Sequence, residues 1–132
     1  MVHYPTTDDV SEFAEVAVRL QGGQPQGLRD RTLLESAVMR PRFLAHYAEA
    51  GLIEQAAALA NGISRSQAFV DGNKRAAYVA TLAFIFRNGY TLAVERLDFA
   101  TLLTSLSDLA LSTEDADRQL ADWLRQRTRP RT

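Results

Sequence analysis

Asn73-Lys74-Arg75-Ala76-Ala77-Tyr78-Val79-Ala80-Thr81-Leu82-Ala83-Phe84-Ile85-Phe86-Arg87-Asn88 leaves almost no polar face when wound as a helix. Ala76, Ala77, Val79, Ala80, Leu82, Ala83, Phe84, Ile85 and Phe86 surround the axis. A helix apolar all round belongs in the middle of a fold. Asn88-Gly89 stops it. The other segments then read as helices packed around this one. Val10, Phe13, Ala14 and Ala17 recur at helical spacing, with Thr7 or Asp8 as the cap and Gly22-Gly23 as the stop. Asp30 caps a short helix bearing Leu33, Leu34, Ala37 and Val38, which Pro41 interrupts. Ile53, Ala56, Ala57, Ala60 and Ile63 mark another helix. Thr91 to Glu95 reads as a short extended piece. Phe99, Leu102, Leu103, Leu106 and Leu109 form the next amphipathic helix. The last starts at Ser112 or Thr113 and turns Ala116, Leu120, Trp123 and Leu124 inward. The expected architecture is all-α, a single compact domain of about six helices over residues 1–126, with a frayed polar tail at 127–132.

Composition narrows the function classes. With 132 residues and 46 % apolar content, the chain can build one real core. Lys+Arg 15 nearly balances Asp+Glu 16, so no global field draws nucleic acid or an anionic membrane. No cysteine is present, which excludes disulfides and thiolate chemistry and fits a reducing cytoplasm. No run approaches about 18 apolar residues, so no membrane span is expected. Met1-Val2-His3-Tyr4-Pro5 shows no basic segment leading into an apolar one, so no signal peptide is expected either.

Chemistry concentrates just before the central helix, in Gln67-Ala68-Phe69-Val70-Asp71-Gly72-Asn73-Lys74-Arg75. A loop opening into a helix start presents unpaired N–H groups and the positive end of the dipole, a setting for an anion. Gly72 permits close backbone approach. Asn73 can cap the helix and still offer an amide. Lys74 and Arg75 supply phosphate donors. Asp71 is a hard oxygen ligand of the type that holds Mg²⁺ on a nucleotide. Phe69 anchors the loop in the core. The alternative is an ordinary Asp-Gly-Asn turn with a solvated Lys-Arg pair. Against it, cations in a first helical turn oppose the dipole unless an anion sits there. Arg65 reads either as a phosphate contact or as a cation complementing a helix C-terminus. Arg125, Arg127, Arg129 and Arg131 read as a solvated basic end, His3 and His46 as surface or packing residues, and Trp123 as core.

Phe69 to Arg75 resembles the Phe-x-Asp-Gly-Asn-Lys-Arg loop of the Doc (death-on-curing) toxins, a small branch of the Fic proteins. Gly22-Gly23, Gly27-Leu28-Arg29-Asp30, Leu33 to Ala37, Arg40-Pro41, Ala56-Ala57 and Phe84 to Gly89 are similar to landmarks of the same family, so the likeness spans roughly residues 4 to 125. The resemblance implies that the loop binds ATP. Asp71 would take Mg²⁺, Gly72 and Asn73 would cradle an anion, and Arg75 would pair with a terminal phosphate. Lys74 stands where many adenylylating relatives have a second glycine. It implies transfer of the γ-phosphate, onto a hydroxyl of elongation factor Tu, with a Phd-type antitoxin as partner. Adenylyl transfer and a non-catalytic binding module are the alternatives. One position departs: Gln67 stands where the family has the histidine that serves as general base. A glutamine amide accepts a hydrogen bond and cannot carry a proton away near neutral pH. The expectation is a chain that folds and binds nucleotide but transfers poorly. Two origins of Gln67 stay open, an introduced substitution and a naturally degenerate homologue.

Overall fold

The computed structural model describes residues 1–132. Its elements are α1 (Thr7–Leu20), α2 (Arg31–Tyr47), α3 (Leu52–Ser66), α4 (Asn73–Arg87), β1 (Tyr90–Leu92), α5 (Arg96–Asp108), α6 (Thr113–Arg125) and β2 (Thr128–Pro130). The expected six helices are present.

The cap of α1 lies one residue earlier than expected. Thr6 accepts from the Asp9 N–H at 3.0 Å, and the Asp9 carboxylate accepts from the Thr6 N–H at 3.0 Å. This reciprocal box satisfies two groups that a cap at Thr7 or Asp8 would leave open. The Thr6 backbone N–H holds the Asp9 carboxyl below its ordinary value; partial burial opposes this, and Arg87, 3.7 Å away, adds to it. Asp30 caps α2 as expected, accepting from the N–H groups of Thr32 and Leu33.

Pro41 does not interrupt α2, which continues to Tyr47. A proline removes one helical N–H and crowds one carbonyl, and here the turn around it is pinned from outside. Arg40 donates to the Ala58 carbonyl of α3 at 2.7 Å and to Asp117 of α6 at 2.6 Å. Gly62 lets the two helices close up, since a Cβ there would lie 3.2 Å from Arg40 Cδ and 3.4 Å from Ala37.

Two helices share the centre. α3 packs on α2, α4 and α6 and buries the continuous run Ala56 to Ala60 together with Ile63. Its alanines allow close approach on several sides. α4 packs on α1, α3, α5 and β1 and buries Ala76, Ala77, Ala80, Thr81, Phe84 and Ile85. Its C-terminal end reaches the surface, where Phe86 is 52 % exposed.

The tail is ordered, against the expectation of fraying. β2 pairs antiparallel with β1, Thr91 opposite Arg129. The extended piece is Tyr90–Leu92, shifted from the expected 91–95. Beyond the strands, the Ala93 N–H donates to Arg127 and the Arg131 N–H to Gly89. The ladder is built from backbone, so polar side chains do not weaken it. The tail arginines also have partners: Arg127 lies over the Trp123 ring at 4.2 Å and Arg131 over Phe86 at 4.4 Å. Trp123 is half-buried and meets Phe99 edge-on at 5.9 Å. No helix is long and apolar enough to cross a membrane.

Candidate active site

The loop between α3 and α4 is shaped by two left-handed residues. Gln67, the C-cap of α3, has φ 56° and Gly72, preceding α4, has φ 83°. The first turns the chain off α3, and the second turns it into α4. Between them Ala68 and Phe69 are buried, which fixes the loop to the core as expected for Phe69.

A second segment laces the loop from outside. Leu28 and Phe69 form an antiparallel bridge. The Arg29 and Asp30 N–H groups both donate to the Ala68 carbonyl, at 2.7 and 3.1 Å, and the Val70 N–H donates to Gly27 at 3.2 Å. The Arg29 guanidinium donates to the Gln67 carbonyl. The Gly22–Arg29 stretch, whose position in the sequence suggests a border of the protein-substrate site, is thus the outer support of this loop.

Asn73 differs from its expected role. Gly72 is the N-cap and Asn73 is the first helical residue. Its side chain accepts from the Phe69 N–H at 3.0 Å and donates to the Phe69 carbonyl at 3.1 Å. The amide is occupied in splinting the loop and is not offered outward. Asp71 accepts from the Gly72 N–H through one oxygen at 2.8 Å, leaving the other free.

These constraints leave the start of α4 open. The first backbone bond made by this end runs from the Ala76 N–H to Gly72. The N–H groups of Asn73, Lys74 and Arg75 therefore point out of the helix unpaired. They border a cavity of about 350 Å³ lined by Ser64, Gln67, Val70, Asp71, Gly72, Asn73, Lys74, Arg75, Arg96 and Ala100. All six expected site residues are in that wall. None of Asp71, Lys74, Arg75 and Arg96 takes part in an ion pair. Arg75 Nε is buried with no partner. Unpaired cations and free N–H groups around one hollow suit a phosphate-bearing anion. No group of three metal-binding side chains is present, so a metal would be held by Asp71 together with the ligand's own oxygens, as is usual for Mg²⁺.

Other residues fall outside the cavity. Arg65 donates to the Leu106 carbonyl of α5 at 3.0 Å, which removes it as a phosphate contact. The His3 N–H is bonded to Asn88 at the far end of α4, about 22 Å along the axis from Asn73. His46 is exposed near the end of α2, also about 22 Å from the Arg31 end that adjoins the loop. Neither lines the cavity. Sequence reading missed Ser64, Arg96 and Ala100. For Arg96 a signal existed: it is a cation at the first position of a helix, the feature that singles out Lys74 and Arg75.

A family model described as the Fic/DOC family matches residues 4–85. The chain is 37 % identical over 97 residues to the curated protein named Toxin Doc from Mycolicibacterium smegmatis (strain ATCC 700084 / mc(2)155), a match covering 72 % of each chain.

Proposed function

The chain belongs to the Fic/Doc family, and from that membership we propose that it is a Doc-type toxin built as an ATP-dependent kinase. Its reaction is transfer of the γ-phosphate of ATP to a hydroxyl of elongation factor Tu, which blocks translation. The carrying observation is the cavity at the start of α4, where three free N–H groups, Lys74 and Arg75 converge beside Asp71.

The residues divide the work. The N–H groups of Asn73, Lys74 and Arg75 hold phosphate oxygens. Lys74 and Arg75 neutralise the charge that builds on the transferred group. Positioning and charge neutralisation carry most of the catalysis in phosphoryl transfer. Asp71 has one free oxygen for Mg²⁺, which when bound screens the phosphates. The bulk and charge of Lys74, where adenylylating relatives have glycine, disfavour the pose for AMP transfer. Gly72 and Asn73 keep the loop in the shape that exposes these groups.

In the transfer, the acceptor oxygen bonds to the γ-phosphorus, the bond to the bridging oxygen breaks, and ADP leaves. The hydroxyl proton needs a base. Gln67 lines the cavity; standing where the family has its histidine, it would orient the hydroxyl and not take its proton. Without that base the rate falls by about 10²–10⁴. Gln67 also supports a second reading, a catalytically silent module that acts by holding nucleotide or protein. A Phd-type antitoxin is the proposed partner.

The test uses this chain and its Gln67→His variant with elongation factor Tu, Mg²⁺ and ATP labelled at the γ or α phosphate. We expect γ-label on the factor from the histidine form, exceeding that from the present chain by about 10²–10⁴. Transfer of α-label would establish adenylylation instead. Nucleotide binding with no transfer from either form would favour the silent module.

A further inference from the structure

We propose that Arg96, outside the loop motif, is a phosphate-binding residue that grips the tail of the nucleotide from the α5 wall of the cavity. The inference rests on the reading of this cavity as a nucleotide site.

Arg96 is the first residue of α5 and lines the same cavity as the α4 start. It makes no hydrogen bond to protein and no ion pair, although Glu95 and Asp98 are close in sequence. An unpaired cation at a helix start works against the helix dipole. Its position therefore helps the ligand and not the fold.

A second observation points the same way from α3. Ser64 is 3 % exposed, lines the same cavity, and its Oγ has no hydrogen-bond partner. Buried hydroxyls are ordinarily satisfied. A helical serine usually bonds a carbonyl one turn back, as Ser107 does to Leu103 at 3.0 Å. Ser64 does not. It is a donor left over on the ligand's side of the wall.

Charge fits as well. Lys74, Arg75 and Arg96 face the single carboxylate Asp71, so two positive charges are unmatched. A magnesium-bound nucleoside triphosphate brings about two negative ones. A planar guanidinium from α5 can take two oxygens of one phosphate. The polyphosphate would then be held by both α4 and α5.

The experiment is calorimetric titration of the full-length chain with MgATP and with AMP, alongside Arg96→Ala, Arg96→Lys, Ser64→Ala and Arg75→Ala. Arg96→Ala should weaken MgATP about tenfold, the value of one charge-assisted hydrogen bond, and leave AMP almost unaffected. Arg96→Lys should recover part of the loss. The melting temperature of Arg96→Ala should stay level or rise, because a cation leaves the helix start; a structural role would lower it. Full MgATP affinity in Arg96→Ala, with affinity lost in Arg75→Ala, would overturn the assignment of Arg96 and leave the site standing. Absence of saturable MgATP binding to the unmodified chain would overturn the site reading, and Arg96 with it.

Discussion

Replacing Asn73 by alanine should cost about 2 kcal/mol of stability, and the structure supplies the terms of that figure. The Asn73 side chain satisfies both backbone groups of Phe69, at 3.0 and 3.1 Å. Phe69 is 5 % exposed, so water reaches its backbone poorly. Each orphaned buried group costs about 1–3 kcal/mol. Partial solvation of these bonds places both near the low end, together about 2–3 kcal/mol. Alanine returns about 0.5 kcal/mol through better helix propensity at the first helical position. For a domain of this size the remainder corresponds to a fall of about 6–10 °C in melting temperature. Urea unfolding followed by helical circular dichroism gives the free energy, and hydrogen exchange at the Phe69 amide reports whether the loop opens first. Asn73→Asp separates the two bonds: it keeps an acceptor for the Phe69 N–H, loses the donor to its carbonyl, and adds a negative charge to the cavity. A loss under about 0.5 kcal/mol in Asn73→Ala would refute the splint, since such a value is typical of a surface change.

Two further outcomes follow from the same geometry. Gly72→Ala should destabilise by about 1–2 kcal/mol in urea titrations, from backbone strain at φ 83° alone. The new Cβ would meet only Arg75 Nη1, at an ordinary 3.5 Å. Gly72→Asn should cost less, because asparagine tolerates that conformation. Separately, the lowered pKa of Asp9 means that its charged form stabilises the fold above the ordinary carboxylate value, and that this contribution disappears as pH falls through the folded-state value. Melting temperatures between pH 2 and 6 should converge for the chain and its Asp9→Asn variant at the acid end and separate above about pH 4.

The fold was largely legible because its helices carry strong periodicity and ordinary punctuation. Asp30, Ser112 and the Asn88-Gly89 stop stand where capping chemistry puts them. Pro41 misled because local propensity carries no information about Arg40, whose bonds to α3 and α6 hold the surrounding turn. The tail misled because a backbone ladder leaves no pattern in side-chain polarity, and its partner strand is remote in sequence. In the site, residue types sufficed to bring Gln67, Asp71, Gly72, Asn73, Lys74 and Arg75 together. The task of Asn73 was hidden: which residue caps α4 depends on the φ of Gly72, and only then does the Asn73 amide face Phe69. Arg96 and Ser64 were out of reach of motif spacing, since they arrive from α5 and α3.

The pairing of β1 with β2 makes α5 and α6 a closed excursion of the chain. It leaves at Gly89 and returns to bond there through Arg131. Such a closure joins segments far apart along the sequence into one cooperative unit for local opening. The unit includes Arg96 and Ala100, so one wall of the cavity is tethered in part by the pairing of β2 with β1. Release of the terminal strand should then loosen that wall, which α3 and α4 also hold. The exchange rates of the Thr128 and Arg129 amides become a gauge of a cavity that neither residue touches.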